Sequence, residues 1–423
     1  DIIQPEIENI GKLEADINGV EEVFSPEAQK EKLYKGYNSV FNKNFYEFLP
    51  VLDARLYQDD AKTAYLHFEN GTLQVTASSA ILIPFNEADG KCIWEDQVIT
   101  RPINDKTDWV TMFQTFNKNV TNQDEKRLSA LESGIGYMLH NHHKKSGGQM
   151  LMLYDQEITD LDNPQGGTGK GLIVNGIMQL RRTVKIDGKK FTGKGTFEFQ
   201  EITASTQILW LDDAAKSLDV DRFNSISTDG FNVERKNKDS LIIPREQAPK
   251  IVIASNVILD CTGSTRKRRQ HPVELSNYYS SMITTGLEEP IVQEHGCEFY
   301  SEKWSEQEWN AFFWYMIGCI QLYLKDGLVA VPAINLIENR GKQILGAELF
   351  YWIQEQDFQP NTDYGTKDYL NQSKEAYEEN NKDFKQRTLS NKLKKYFALF
   401  GQAIEFKSVN SAGDKVATFI IKN

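Results

Sequence analysis

Cysteine is scarce in this chain. Four occur in 423 residues, at Cys92, Cys261, Cys297 and Cys319, and none forms a CxxC pair. That excludes a disulfide scaffold and a thiolate zinc site, and it predicts a reducing compartment. No apolar run reaches the roughly 18 residues that a membrane span needs. The longest stretch, Ala311–Leu324, is broken by Gly318 and Gln321 and reads as a buried helix. No signal-peptide pattern opens the sequence, which begins at Asp1 rather than Met, as a fragment of a longer chain does. No internal repeat is visible. Positive charge is in deficit, with 48 Lys and Arg against 60 Asp and Glu, a net charge of −12. That argues against a general nucleic-acid coat, although local basic patches still steer phosphates on acidic proteins.

Aromatic residues are plentiful: Trp 7, Tyr 17 and Phe 23 supply material for real cores and exclude a disordered chain. The length suits two or three domains. Residues 1–120 read as mixed α/β. Tyr65 and His67, then Leu73 and Val75, alternate around the turn Glu69-Asn70-Gly71, which predicts a hairpin over Ala64–Thr76. Leu128, Leu131, Ile135 and Leu139 predict a helix within 122–143. The middle alternates strands (Met150–Tyr154, Thr196–Ile202, Ile208–Leu211, Ile251–Ala254) with a helix over Gly171–Arg182. That pattern predicts a parallel sheet with helices on both faces. The last third is more helical. Trp304 to Tyr315 reads as core, and Gln386–Phe400 as a helix with a basic stripe. The strands Ile404–Val409 and Val416–Ile421 then outline a wing.

Gly166-Gly167-Thr168-Gly169-Lys170-Gly171 is the sharpest local feature. Glycines let backbone N–H groups converge on a phosphate, the following helix offers its N-terminus, and Lys170 reaches toward the β and γ phosphates of ATP. The match to GxxxxGK[ST] is imperfect: Pro164 replaces the first glycine, and Gly171 replaces the hydroxyl residue that touches Mg²⁺. Ile208-Leu209-Trp210-Leu211-Asp212-Asp213, 42 residues after Lys170, delivers two carboxylates to the end of a buried strand. One acid suits a Mg²⁺ ion and its neighbour suits orienting a water. Phe231–Ile243 alternates around a turn carrying Arg235, Lys236 and Lys238, three cations suited to a phosphate backbone but also common on any solvated turn. Lys250–Ser255 is another apolar strand, ending at Asn256, and Arg266, Lys267, Arg268 and Arg269 follow. His140, His142 and His143 beside Lys144 and Lys145 read as a solvated helix C-terminus rather than a metal site. Asn119-Val120-Thr121 fits a glycosylation sequon, with nothing to indicate secretion.

The succession GGTGKG, ILWLDD, FNVERKNKD, PKIVIASN and then the arginines resembles the superfamily 3 helicases of the AAA+ class. Within that class it looks most like the primase-helicases of phages and mobile elements. The resemblance implies a Walker A loop at Gly166, Gly167, Thr168, Gly169, Lys170 and Gly171, with Lys170 as its lysine. It implies Walker B acids at Asp212, the metal ligand, and Asp213, a motif C asparagine at Asn256, and an arginine finger at Arg268 or Arg269. It also implies a DNA-contacting hairpin at Arg235, Lys236 and Lys238. The fold it implies is an AAA+ P-loop ATPase core at 150–285. Around that core lie an N-terminal α/β region at 1–120, a helical collar at 121–149, a helical region at 286–345 and a winged-helix-like domain at 346–423. ATP and Mg²⁺ are the implied cofactors. Single-stranded DNA and further copies in a hexamer are the implied partners, with 3′ to 5′ movement, in the cytoplasm of a bacterial host. Residues 1–120 carry no paired acids of a primase, so a primase domain or other replication proteins would be separate. Two alternatives stay open: an ATP-switched initiator that binds an origin, and an AAA+ ATPase that does not unwind.

Overall fold

The computed structural model describes residues 13–17, 20–36, 39, 55–87, 90–144, 147–158, 166–191, 195, 197–220, 223, 230–259, 268–283, 289–376, 385–411 and 414–422. The chain divides into two compact units, 1–55 and 56–423. In the first, β1 (Leu13–Ile17) and β2 (Val20–Phe24) pair antiparallel and lead into α1 (Pro26–Lys35). The Ser25 side chain caps α1 by accepting from the Ala28 N–H, and Pro26 fits the first turn, where no N–H is needed.

The second unit opens with a four-stranded sheet. The predicted hairpin is β3 (Thr63–Phe68) and β4 (Gly71–Thr76), flanked by β5 (Ala80–Ile83) and β6 (Val98–Ile99). Asn70 holds the turn by bonding both the carbonyl and the N–H of Ile103. Helices α2 (Met112–Val120) and α3 (Glu125–Leu139) follow, capped by the Thr111 and Asp124 side chains.

A five-stranded parallel sheet then forms from β7 (Met150–Asp155), β8 (Thr183–Asp187), β9 (Ile208–Asp212), β12 (Lys250–Ser255) and β13 (Gln270–Leu275). Helix α4 (Lys170–Met178) connects β7 to β8, and a hairpin, β10 (Phe231–Val233) with β11 (Leu241–Ile243), stands between β9 and β12. The order across the sheet is β8-β9-β12-β7-β13. Both faces are buried, as the near-continuous apolar strands require. Leu151, Leu153, Ile208, Trp210 and Val252 face one core, shared with α2, α3 and α4. Their neighbours Met152, Tyr154, Leu209, Leu211 and Ile253 face a second core, built with Phe191, Phe199 and Phe223. The chain is thus a mixed α/β protein whose parallel sheet is flanked by helices.

One strand expectation is corrected. Residues 197–201 form turns, and the strand beside β9 is Thr183–Asp187. Phe199 and Ile202 are buried three residues apart, a spacing that fills a core from a turn and does not alternate across a sheet.

Next come α5 (Pro290–His295) and the long α6 (Glu306–Asp326), in which Trp309, Phe312, Phe313 and Met316 are core residues, as the aromatic run predicts. Helix α6 packs along α3 so closely that a Cβ on Gly136 would lie 1.9 Å from the Cys319 carbonyl oxygen. Backbone cannot retreat as a flexible side chain can. Gly136→Ala is therefore expected to destabilise the fold by about 3 kcal/mol, the upper range for overpacking. Urea unfolding checks this, and a midpoint within error of the parent would refute the close helix approach.

The C-terminal part has its own core. It comprises α7 (Leu336–Leu345), α8 (Ala347–Glu355), β14 (Asp363–Gly365), α9 (Thr366–Ala376), α10 (Gln386–Leu399), β15 (Ala403–Ser411) and β16 (Asp414–Lys422). The strands form an antiparallel sheet in the order β14-β16-β15. Leu389, Leu393 and Phe397 of α10 pack with Phe419 and Ile421 of β16. Among the described residues, no helix is long and apolar enough to cross a membrane.

Candidate functional site

In a parallel sheet every strand ends at the same edge, so the polar residue closing each strand meets those of its neighbours. Strand β7 ends at Asp155, and the glycine loop returns from it to α4. Pro164 lies outside the described residues. Gly167 and Gly169 have φ of +102° and +97°, left-handed values that favour glycine. Gly169 is also the N-cap of α4, and a Cβ there would lie 2.4 Å from the Phe116 ring, so only glycine fits between loop and helix. Gly171 borders open space. Thr168 and Lys170 are buried, and both donate to the Asp155 carboxylate. Burial lowers the Lys170 pKa, against the pull of Asp155 first and of Asp213 and Asp212 beyond it. The loop thus holds a lysine whose present partner is an internal acid, at a helix N-terminus whose N–H groups favour an anion.

Strand β9 ends at Asp212, and Asp213 follows in a left-handed conformation (φ +54°), which aspartate tolerates better than most side chains and which turns the chain at the strand end. Each acid has its own lysine: Lys185 of β8 lies 2.7 Å from Asp212, and Lys189 lies 2.5 Å from Asp213. Strand β12 runs between β7 and β9, so Asn256, one residue past its end, lies between the loop and the acids. The Asn256 Nδ2 donates to Asp213 Oδ1 at 3.1 Å. A Cβ on Gly166 would lie 3.9 Å from the same amide. The Asn256 Oδ1 is buried without a hydrogen-bond partner, an acceptor held ready at the centre of the cluster.

The structure therefore brings Gly166, Lys170, Asp212, Asp213 and Asn256 to one edge. Sequence reasoning missed three further members: Asp155, Lys185 and Lys189. Asp155 had a signal, since it ends an apolar strand as Asp212 does. The two lysines had a weaker one, because their strand was placed elsewhere.

Other expected residues lie apart. Phe231, Val233 and Ile243 root the β10–β11 hairpin in the second core. Its tip exposes Lys236 and Lys238, while Arg235 is half-buried and braces the turn by donating to the Asp239 carbonyl. Arg268 and Arg269 precede β13, whose first residue, Gln270, pairs with Met150 at the start of β7. They stand at the opposite edge of the sheet from Asp155, about 17 Å away at the ordinary rise per strand residue. Within one chain the arginines do not meet the loop. Arg266 and Lys267 lie outside the described residues.

The histidine reading is corrected. His140 and His143 are buried, and their Nε2 atoms bond the carbonyls of Asp60 and Ala248. Burial pushes their pKa values down to about 3 and about 4, so they are neutral and not solvated cations. Among the described residues no three His, Cys, Asp or Glu side chains converge to hold a metal. An ion at Asp212 would thus need phosphate and water oxygens to complete its shell, which is the usual manner of Mg²⁺. The oxygen donors fit that ion, and the left-handed glycines at a helix N-terminus fit a phosphate chain.

No protein-family profile matches the chain, and no curated protein matches it. Three similar solved structures are "The A form apo structure of NrS-1 C terminal region-CTR", "The apo structure of NrS-1 C terminal region (305-718)" and "The A form apo structure of NrS-1 C terminal region-CTR(305-718)". Their identities to this chain are 12%, 12% and 11%, and their TM-scores 0.41, 0.43 and 0.42. Each comparison covers 97% of this chain and 94% of the other. Identities and TM-scores this low assign no residue a role.

Proposed function

We propose that this chain is an ATP-hydrolysing DNA motor of the superfamily 3 helicase type, with an AAA+ core and a winged-helix-like C-terminal part. The observation that carries the reading is the Asn256 amide, set between the glycine loop and Asp213 with one oxygen unpartnered. A surface turn rich in glycine has no need of an acid and an amide from two other strands.

In this reading the loop backbone and the α4 N-terminus hold the phosphates of ATP. Lys170 exchanges its bond to Asp155 for one to the β and γ phosphates, which ends the pairing seen now. Water attacks the γ phosphorus, the bond to the bridging β–γ oxygen breaks, and ADP and phosphate result. Asp213 orients that water and accepts its proton, and the Asn256 oxygen accepts the water's second hydrogen. A Mg²⁺ ion at Asp212 would neutralise developing phosphate charge. Arg268 or Arg269 would serve a nucleotide bound by the next subunit of a ring, a hexamer in the family pattern. The exposed lysines of the hairpin grip single-stranded DNA in the ring's channel and carry it 3′ to 5′. The setting is the cytoplasm of a bacterial host.

The test is the ATP hydrolysis rate with and without single-stranded DNA, with Lys170→Ala as control. About tenfold stimulation or more, lost in the variant, is the expected result. Bound ATP with no hydrolysis would end the motor reading. It would favour an ATP-switched initiator, which one observation supports: lysines 185 and 189 occupy both acids, and Gly171 brings no hydroxyl for the metal.

A further inference from the structure

The strand order gives the glycine loop two unlike sides. Across the sheet the order is β8-β9-β12-β7-β13, so the loop after β7 has Asn256 and the two acids on one side and the continuation of β13 on the other. Strand β13 is parallel to β7 and ends level with it, Leu275 opposite Asp155. The segment that follows, from Ser276 to Ile283, therefore emerges beside the loop. Two adjacent glycines of the loop face the two sides in turn. A Cβ on Gly166 would approach the Asn256 amide at 3.9 Å. A Cβ on Gly167 would lie 3.1 Å from the Ile283 side chain and 3.6 Å from that of Ser280.

The segment after β13 is fixed in place. The Ser276 N–H donates to the Val120 carbonyl, and the Ser276 hydroxyl donates to the Asn119 carbonyl. Tyr279 is buried, accepts from Asn119 Nδ2 at 3.0 Å, and stacks on Phe116 with the ring centres 5.2 Å apart. Phe116 is also the ring against which Gly169 packs. Loop and segment thus rest on the same helix, α2, and the gap between them is set before any ligand arrives. Ile283 stands at that gap and is 59% exposed. Single exposed apolar side chains are ordinary on a protein surface. This one differs in its place, against a loop glycine whose left-handed backbone favours the absence of a side chain.

A nucleoside triphosphate in the loop also has two unlike ends. With the γ phosphate toward Asn256 and Asp213, as proposed above, the sugar and base leave from the opposite end, toward β13. From the strand order and the opposed outlooks of Gly166 and Gly167, we infer that Ile283 is the platform on which the base of the bound nucleotide lies. Ile283 takes this role on the reading of the loop as a nucleotide site, and what is added is where the nucleoside end rests. Covering exposed apolar surface with the flat face of a base removes it from water, which favours binding. Contact with a face discriminates little, because every base has one. Ile283 therefore contributes alike to adenine and guanine nucleotides, and the substrate class it suits is purine nucleoside triphosphates.

The probes are ATP, GTP and inorganic tripolyphosphate, each with Mg²⁺, titrated by calorimetry into the full chain and into Ile283→Ser. The parent is expected to bind ATP about fivefold or more tighter than tripolyphosphate, which has no base. Ile283→Ser should weaken ATP and GTP by about fivefold each and leave tripolyphosphate within about twofold. Ile283→Leu keeps the apolar surface and should hold ATP affinity within about twofold of the parent. ATP affinity unchanged in Ile283→Ser would overturn the assignment while leaving the loop a nucleotide site. An equal loss for ATP and tripolyphosphate would also overturn it, because Ile283 would then be a support of the loop. So would a parent that binds tripolyphosphate as tightly as ATP. A parent that binds neither would end the nucleotide reading itself, and the role of Ile283 with it.

Discussion

Asp213→Asn is expected to lower ATP hydrolysis about a thousandfold while nucleotide affinity stays within a few-fold of the parent. A group that takes a proton from the attacking water contributes roughly 10² to 10⁴ in rate. An amide keeps the shape of the carboxylate but is a far weaker base. Asp213 is the better choice than Asp212 for this part on geometric grounds. It bonds Asn256, and the Asn256 amide borders the loop at Gly166. The lysine beside it, Lys189, is 68% exposed, so it can swing away when phosphate arrives. The binding half of the prediction follows from Lys170 and the loop amides, which the substitution leaves intact. Single-turnover hydrolysis and a fluorescent-nucleotide titration read the two halves separately. Loss of binding together with hydrolysis would mean that Asp213 holds the loop in place. Hydrolysis near the parent rate would remove it from the chemistry.

The legible parts of this protein are those that sequence-local physics fixes. Apolar strands closed by a polar residue, at Asp212–Asp213 and at Asn256, announce both a buried sheet and the edge where its chemistry gathers. The same rule applied to Met150–Asp155 would have found Asp155, the partner that Lys170 holds now. Strand Thr183–Asp187 is hard to read because only Val184 and Ile186 form its apolar side, while Lys185 and Asp187 on the opposite side are exposed. Those charges are tolerated because β8 is the outer strand of the sheet and Lys185 extends across Trp210 to Asp212. The histidines misled for a different reason. Three of them, with two lysines, after a helix resemble a solvated end, and only the tertiary fold supplies the Asp60 and Ala248 carbonyls that bury two of them. The arginines at 268 and 269 show what topology alone decides. Their distance along the sequence from Asn256 is short, yet β13 begins at the far edge, so they leave the cluster that precedes them.

Those buried histidines make the fold sensitive to mild acid. His67, His140 and His143 have pKa values lowered by burial to about 3, about 3 and about 4, from an ordinary 6.5. Nearby Arg181 and Lys250 add to the effect by repelling a second positive charge. When the folded pKa is depressed, the unfolded chain takes up protons that the folded chain refuses. Stability is then full above about pH 6.5 and falls as pH drops toward the folded values. At pH 5 each of the three costs about 2 kcal/mol, from 1.36 kcal/mol per pH unit below 6.5. Together they remove about 6 kcal/mol, comparable with the whole stability of many domains. Asp59 and Glu132 work against this, because burial raises their pKa values and lets the folded state accept protons first. A fall in stability between pH 7.5 and pH 5 is the expected result. Ordinary carboxylates titrate mostly below that window, so its slope belongs to the histidines. Urea unfolding at half-unit steps of pH measures it. His67→Gln should flatten the slope, since it removes one contributor among the histidines whose pKa values burial lowers, which also include His271 and His295. A stability curve level from pH 7.5 to pH 5 would mean that the three rings take up protons in place, and that the carbonyl-bonded arrangement at His140 and His143 is not what the folded chain maintains.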